Sequence, residues 1–332
     1  MIKTIVLNNR PTGRPMVSDF KSITEDITLT PKDGELLLEA TYVSVDPYLR
    51  GRMSDAKSYI PPFELNKHIQ SGVVAKVIAS NNENFAVGDV VYGMLSWKTK
   101  QISAGEGLLK IDASKAPLST YLGVLGLTGL TAYLGLNEIG KPLAGETIVV
   151  SGAAGAVGSV VGQIAKIQGL RVIGIAGTDE KVEMLKTKFG FDAGINYKTC
   201  KNINQEIGEA APNGVDIYFD NVGGSISDAV LFNINKFARI IVCGVISVYN
   251  NTELPKSISV QPFLVRKSAL MQGFIVSNYA DKFPEALQHL SGWLAKGKLT
   301  YTETIVDGFD NIPNAFIDLF DGKNKGKMLV KI

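Results

Sequence analysis

The β-rich run Glu146 to Ser151 ends in the small-residue turn Gly152-Ala153-Ala154-Gly155-Ala156-Val157-Gly158, which opens into the helical periodicity of Val160 to Gln168. A strand that turns on glycines directly into a helix commits the segment to a parallel βαβ unit and fixes what the turn can hold. Gly155 lets the backbone approach a pyrophosphate, and Gly158 lets the helix pack closely on the strand. The helix N-terminus offers N–H groups to an anion. The first glycine of the usual fingerprint is replaced by Ala153, so the pattern reads Ala-x-Gly-x-x-Gly. The flanking strand and helix carry the inference to a dinucleotide site, against the blander reading of a packing turn in another parallel α/β protein.

The next strand, Leu170 to Ala176, selects the cofactor. An enzyme that prefers NAD holds an Asp or Glu at its end for the ribose 2′-hydroxyl, whereas here the strand ends in Ala176-Gly177. With no carboxylate to repel it, a 2′-phosphate fits there, and Lys181 in the following helix reaches it as a point charge. NADP(H) is therefore expected. Asp179 and Glu180 fall in that helix's first turn, where carboxylates meet the dipole favourably and are expected to point to solvent. The alternative for Lys181 is an ordinary solvated helix lysine.

At 332 residues, with 45% hydrophobic and 20% charged residues, the chain has the balance of a soluble globular protein of about two domains. A net charge of +2 with interspersed lysines and acids gives no footprint for nucleic acid or a membrane surface. The apolar run at the N-terminus is too short for a signal peptide, and the glycine-broken segment near 117 to 136 reads as a buried helix rather than a span. Cys200 and Cys243 make no disulfide framework, which fits a reducing cytoplasm.

Short β-runs separated by turn signals fill residues 1 to 115. Strands then alternate with helices: 146 to 151, 170 to 176, 193 to 196, 215 to 220 and 238 to 243 are rich in Val and Ile. That alternation implies a doubly wound parallel sheet. A β-run at Tyr301 to Val306, an amphipathic helix near Ile312 to Phe320 and a last strand Lys327 to Ile332 read as a tail that completes the first domain. The loop Tyr249 to Ser259 has the polar and proline content of a mobile wall.

The motifs Val45-Asp-Pro-Tyr-Leu-Arg50, Gly126-Leu-Thr-Gly-Leu-Thr-Ala-Tyr133, Ala153 to Ser159, Asp220-Asn-Val-Gly-Gly224 and Cys243-Gly-Val-Ile-Ser-Val-Tyr249 are similar, together and across nearly the whole chain, to the medium-chain dehydrogenase/reductases. Within these the chain resembles the zinc-independent branch of prostaglandin reductases (leukotriene B4 12-hydroxydehydrogenases) and plant double-bond reductases. The resemblance implies an α/β fold: a GroES-like β-rich catalytic domain from residues 1–125 and 296–332, a Rossmann NADP-binding domain from 126–295, and an active site in the cleft between them. It implies that Gly155, Ala156, Val157 and Gly158 hold the pyrophosphate, Lys181 and Tyr197 the 2′-phosphate, and Asn221 the adjoining ribose. Cys243, Gly244, Val245, Ile246, Ser247 and Tyr249, the strand Phe274-Ile275-Val276 and Asn324 would line the nicotinamide half. Tyr249 and Tyr48 would be the catalytic tyrosines. One departure is Lys325 after Asn324, where relatives often place an apolar residue. The loop after Tyr249 lacks the proline-rich run of the mammalian enzymes, so their substrate preference does not carry over. Each residue also has a plainer reading: Tyr48 as a core aromatic at a turn, Tyr197 as a strand-end aromatic, Asn221 as a turn residue.

No metal is expected. Catalytic zinc in this superfamily needs Cys, His and carboxylate ligands and structural zinc four clustered Cys, whereas the chain has two Cys and two His, scattered in sequence. His68 reads as a turn or core residue, His289 as part of the helix Phe283 to Ala295, and Gly-x-Ser-x-Gly is absent. The remaining chemistry is hydride transfer from NADPH to the β-carbon of an α,β-unsaturated ketone or aldehyde, with the enolate oxygen held by donors such as Tyr249. The alternatives are an NADPH-dependent quinone reductase and a non-catalytic NADPH-binding protein. The resemblance implies a homodimer, for which Leu270 to Val276 would supply an edge strand, although ordinary burial explains that apolar run equally well.

Overall fold

The structure, a computed structural model, describes residues 1–253 and 255–332. Leu254, within the loop read above as a mobile wall, lies outside the described residues. The chain forms two compact units, one of residues 1–123, 303–324 and 328–332, the other of residues 124–302 with 325–327.

The first unit is built on a seven-stranded sheet whose central strands are Leu36–Ser44 and Gln70–Ser80, paired antiparallel. Leu36, Leu38, Val43, Val73 and Val77 are fully buried, so one face of this alternating pair supplies the core. The returning C-terminal strand joins it, with Leu329 opposite Ser44 and Val330 opposite Val43. Trp97, wholly buried, donates its indole N–H to Ser71 Oγ at 2.8 Å, which gives its one polar atom a partner inside the core.

The second unit holds a six-stranded, all-parallel sheet in the order Ala193–Asn196, Arg171–Ala176, Thr147–Val150, Val215–Asp220, Ile234–Val242, Leu270–Gly273. The three chain-first strands run outward in one direction and the next three in the other. The order therefore reverses between Thr147–Val150 and Val215–Asp220, and the crevice beyond their carboxyl ends is where open α/β sheets bind ligands. Thr147–Val150 is buried throughout, as a strand covered on both faces must be. Phe191 shows why glycines recur here: a Cβ on Gly162 would lie 1.9 Å from its ring, and one on Gly174 would lie 2.8 Å away. The ring fills the space that two missing side chains leave between helix and strand. Arg239 ties the strand Ile234–Val242 to Glu146 through two hydrogen bonds of 2.8 and 2.6 Å, both side chains being largely buried.

Two expectations are corrected. The segment near 117–136 is not one buried helix: Leu118–Leu122 is a 3-10 turn, Leu127–Leu134 is the helix, and Gly135–Gly140 is a wider turn closed by Lys141 at a φ of 44°. Gly123 and Gly126 cap the pieces, and Gly129 admits the Val124 carbonyl, which a Cβ would meet at 1.9 Å. The second is Phe274-Ile275-Val276, which is not strand. The strand ends at Gly273 and Val276 begins a 3-10 turn.

Candidate active site

The turn after Thr147–Val150 is shaped by Gly152, at a φ of 58°, which takes the role that the usual fingerprint gives to the residue occupied here by Ala153. Ala153 is instead fully buried and donates its N–H to the Ile175 carbonyl at 3.0 Å. Helix Gly158–Ile167 then starts so close that a Cβ on Gly158 would lie 2.5 Å from the Gly152 oxygen and 2.8 Å from Ala153 Cα. On Gly155 the same atom would meet only the Gly152 oxygen, at 3.1 Å. The two glycines thus divide the work: Gly158 permits the packing, and Gly155 keeps the approach to the helix N-terminus bare.

Asp220, at the end of the neighbouring strand, organises the next turn. Its Oδ1 accepts from Ser151 Oγ (2.9 Å), the Tyr218 hydroxyl (2.8 Å), the Val222 N–H (3.0 Å) and the Gly223 N–H (2.8 Å), and the residue is buried. Asn221 is held in consequence: its amide nitrogen donates to the Ser151 carbonyl at 2.8 Å and its N–H to Ser151 Oγ at 2.9 Å. The next segment is stitched to this one. Cys243 N–H donates to the Asp220 carbonyl at 2.8 Å, Gly244 N–H to the same oxygen at 3.1 Å, and Ser247 Oγ to the Val222 carbonyl at 2.6 Å. Gly223, at a φ of 72°, lies under Val245, whose Cγ1 a Cβ would meet at 3.0 Å. Tyr249 caps the short helical turn Ile246–Val248 and folds back so that its hydroxyl accepts from the Val245 N–H at 3.4 Å. Burial and the nearby Asp220 push the Cys243 thiol up to about 12, so it stays neutral.

A third cluster sits at the end of Arg171–Ala176. Thr178 caps the helix Asp179–Thr187 by accepting the Lys181 N–H at 3.3 Å. Tyr197, 42% exposed, covers Gly177, where a Cβ would lie 3.1 Å from its ring and 3.3 Å from Lys198 Cε. Lys181 is half-buried, and its ammonium is lowered below the usual lysine range first by burial, then by the charges of Lys198 and Lys325, with Glu180 opposing. The acids of the helix's first turn are not merely solvated: Asp179 accepts from Asn196 Nδ2 at 2.6 Å and Glu180 is paired with Lys325. Both residues are exposed, as expected, and each also has a partner on another element.

The structure therefore brings Gly155, Ala156, Val157 and Gly158 together with Asn221 and the run Cys243, Gly244, Val245, Ile246, Ser247 and Tyr249, while Lys198, whose charge acts on Lys181, lies 6.0 Å from the centre of the Tyr197 ring. Phe274 is turned inward: its ring stacks edge-on against Phe219 and Tyr279, and Gly135 is bare beneath it, since a Cβ there would lie 2.6 Å from the ring. Tyr48 and Asn324 belong to the first unit. Burial and then Asp46 push the Tyr48 phenol well above its ordinary value, with Arg52 opposing, so its hydroxyl keeps its proton. Sequence reasoning missed Gly152, the Ser151–Asp220 pair, Lys198 and Lys325 as parts of these clusters. The signals were available for two of them: Lys198 adjoins Tyr197, and Lys325 breaks an apolar position.

A unit holding a parallel sheet with its glycine turn at the strand-order reversal, and a second, β-rich unit formed by both chain ends, define a dehydrogenase/reductase of the medium-chain type. Comparison with known proteins shows the family. Residues 3–111 match the family model described as the N-terminal domain of oxidoreductase, and residues 156–292 match that described as zinc-binding dehydrogenase. The chain is 54% identical over 99% of its length and 97% of the relative's to a Bacillus subtilis (strain 168) protein provisionally named NADP-dependent oxidoreductase YfmJ. It is 45% identical to prostaglandin reductase 1 of Bos taurus, over 99% of this chain and 98% of that one. The NADP(+)-dependent 2-alkenal reductase of Nicotiana tabacum is 40% identical, with 99% and 97% covered. The crystal structure of CurA from Vibrio vulnificus in complex with NADPH superposes with a TM-score of 0.94 at 44% identity, covering 99% of this chain and 98% of that one. The chain belongs to the medium-chain dehydrogenase/reductases, in their zinc-independent branch of double-bond reductases. One matching model carries zinc in its description; among the described residues no group of three or more His, Cys, Asp or Glu side chains is placed to hold a metal ion.

Proposed function

We propose that the chain is an NADPH-dependent reductase of the carbon–carbon double bond of α,β-unsaturated ketones and aldehydes. The observation that carries the reading is the phosphate seat: a strand ending in Ala176-Gly177, roofed by Tyr197, with the charges of Lys198 and Lys325 both acting on Lys181. Like charges gathered at one place call for an anion, and the bare backbone at Gly155 fits the pyrophosphate of the same ligand. NADPH bound there supplies a hydride for the substrate's β-carbon.

The chain's own residues bind and orient. Gly155 to Gly158 hold the pyrophosphate, Lys181 and Tyr197 the 2′-phosphate, and Asn221, fixed by Ser151, the ribose. Cys243 to Ser247, Phe274 to Val276 and Asn324 hold the nicotinamide half, Phe274 chiefly through its backbone because its ring packs inward. Tyr249 donates to the carbonyl oxygen as negative charge develops there, and the α-carbon takes a proton from water or a tyrosine; Tyr48, whose phenol keeps its proton, acts as a donor and not as a base. Residues 1–125 with 296–332 act as the GroES-like catalytic domain and 126–295 as the cofactor domain. The chain works as a cytoplasmic homodimer: Leu270–Gly273 is an edge strand with Leu270 48% exposed, which supports pairing over ordinary burial, and both cysteines are free thiols. Among the described residues no helix is long and apolar enough to cross a membrane.

The test is steady-state enone reduction by Tyr249→Phe and Tyr48→Phe, with the saturated ketone identified as product. One lost oxyanion donor of about 3 kcal/mol slows turnover about a hundredfold or less without abolishing it. Full activity in both variants refutes the tyrosine assignment.

A further inference from the structure

The C-terminal segment reaches the phosphate turn through backbone contacts that leave little freedom. Gly326 N–H donates to the Ala154 carbonyl at 2.8 Å, and Gly326 bridges Gly155 in parallel register. Lys327 N–H donates to the Thr302 carbonyl at 2.9 Å. Gly326 has a φ of 64°, and a Cβ on it would stand 1.8 Å from the Thr302 oxygen, so no other residue fits without moving the segment. Lys325 is thereby pinned one residue from the turn, and its ammonium pairs with Glu180 in the first turn of the helix that also carries Lys181. An isolated exposed ion pair of this kind contributes little to stability. What it does accomplish is placement, because a lysine side chain has rotamer entropy to lose before it occupies one position.

From this placement the geometry points to Lys325 as a further cofactor-specificity residue: a third cation for the 2′-phosphate, delivered by the C-terminal segment and parked on Glu180 until the phosphate arrives. The inference rests on the NADP reading above and deepens it. Its physical content is competition between two anions. The Glu180 carboxylate carries one charge and is mostly exposed, with 72% of its side chain accessible, whereas a phosphate monoester carries nearly two and presents three acceptor oxygens. The dianion wins the ammonium, and Glu180 is left to solvent at little cost. The Lys181 ammonium is lowered first by burial and then by the charges of Lys198 and Lys325, and a dianion seated among them relieves that second contribution. Lys198, beside Gly177 and its Tyr197 roof, completes the set of cations.

The test is fluorescence titration of the full-length protein with NADPH and with NADH, for wild type, Lys325→Leu, Lys325→Arg, Glu180→Gln and the double variant Lys325→Leu/Glu180→Gln. A third phosphate cation predicts that Lys325→Leu weakens NADPH about five- to tenfold and leaves NADH within about twofold, with Lys325→Arg close to wild type. The salt dependence of the NADPH dissociation constant becomes shallower in Lys325→Leu, while that for NADH is unchanged. The double variant stays weaker for NADPH than Glu180→Gln alone, because removing the counter-ion does not replace the cation. The proposal is overturned if Lys325→Leu weakens both cofactors equally, which marks a scaffold role, or if it changes neither. It is equally overturned if the double variant binds NADPH as well as Glu180→Gln, which reduces Lys325 to neutralising Glu180. A wild-type protein that binds NADPH no better than NADH fails the parent NADP reading itself, and that outcome is read before any variant is compared.

Discussion

Gly158 is the position at which one added methyl should do most to the cofactor. In Gly158→Ala the new Cβ starts 2.5 Å from the Gly152 oxygen and 2.8 Å from Ala153 Cα, and both are backbone atoms that no rotamer change can move aside. Reaching an ordinary contact of 3.4 Å requires a retreat of 3.4 − 2.5 = 0.9 Å. Neither side yields easily. Ala153 is fully buried, and the helix is anchored by Val160, Val161, Ile164 and Ala165, all at 2% exposure or less. Overpacking of this kind costs about 1–3 kcal/mol, against a gain of about 1 kcal/mol from replacing glycine by alanine near a helix start. The net expectation is a loss of up to about 2 kcal/mol in urea unfolding with the slope unchanged. The N–H groups of the first turn move with the helix, so NADPH binding weakens at least about tenfold, a displacement near 1 Å being large for oriented donors. Gly155→Ala serves as the control: its Cβ meets a single oxygen at 3.1 Å, so stability changes little while cofactor approach is obstructed. A Gly158→Ala protein with wild-type stability and wild-type NADPH affinity would refute the packing argument.

Asp220→Ala removes the acceptor of four hydrogen bonds and leaves the buried Tyr218 hydroxyl and two backbone N–H groups to find others; a loss of about 3–5 kcal/mol is expected by denaturant unfolding, with Asp220→Asn costing clearly less. Equal effects of the two would show that the carboxylate is not the organiser. The Cys243 thiol, pushed up to about 12, is about one part in ten thousand thiolate at pH 8, so iodoacetamide should label it in the native protein orders of magnitude more slowly than in urea. Labelling at the rate of an exposed thiol contradicts that. Burial pushes the Glu146 carboxyl up, but the Arg239 hydrogen bonds outweigh it and hold the group below its ordinary value of 4.5. Its contribution is thus present above that ordinary value and lost as pH falls through the folded value. Glu146→Gln should lower stability by about 1–2 kcal/mol at pH 7, and the gap to wild type should close in the acid range below about pH 4.5; a gap that does not vary with pH rules the linkage out.

How much of this was legible in the sequence depended on range. Strands Ala193–Asn196 and Val215–Asp220 and helix Phe283–Ala295 stand where hydrophobic patterning put them, because burial on a parallel sheet or one helix face is written locally. The failures are tertiary. The segment 117–136 reads as one apolar helix, and only the Val124 carbonyl crossing at Gly129 explains the break. Phe274 to Val276 is as β-prone as the strand before it, but Phe274 leaves the sheet to fill the space over Gly135. At the site, the glycine turn was visible while the role of Gly152 was not, since a positive φ has no signature beyond glycine itself. Glu180 gave no sign of its partner: Lys325 lies 145 positions along the chain, and no periodicity reports a pairing at that distance.

The central claim is that the phosphate seat selects NADPH and that the bound cofactor reduces a conjugated double bond. The most direct measurement follows loss of NADPH absorbance with an enone, an enal, a quinone and a saturated aldehyde, repeated with NADH. The account predicts turnover of the enone or enal, NADPH strongly preferred, and no oxidation with the saturated aldehyde. Turnover of the quinone alone, equal rates with NADH, or NADPH binding without oxidation by any member of the panel would contradict it.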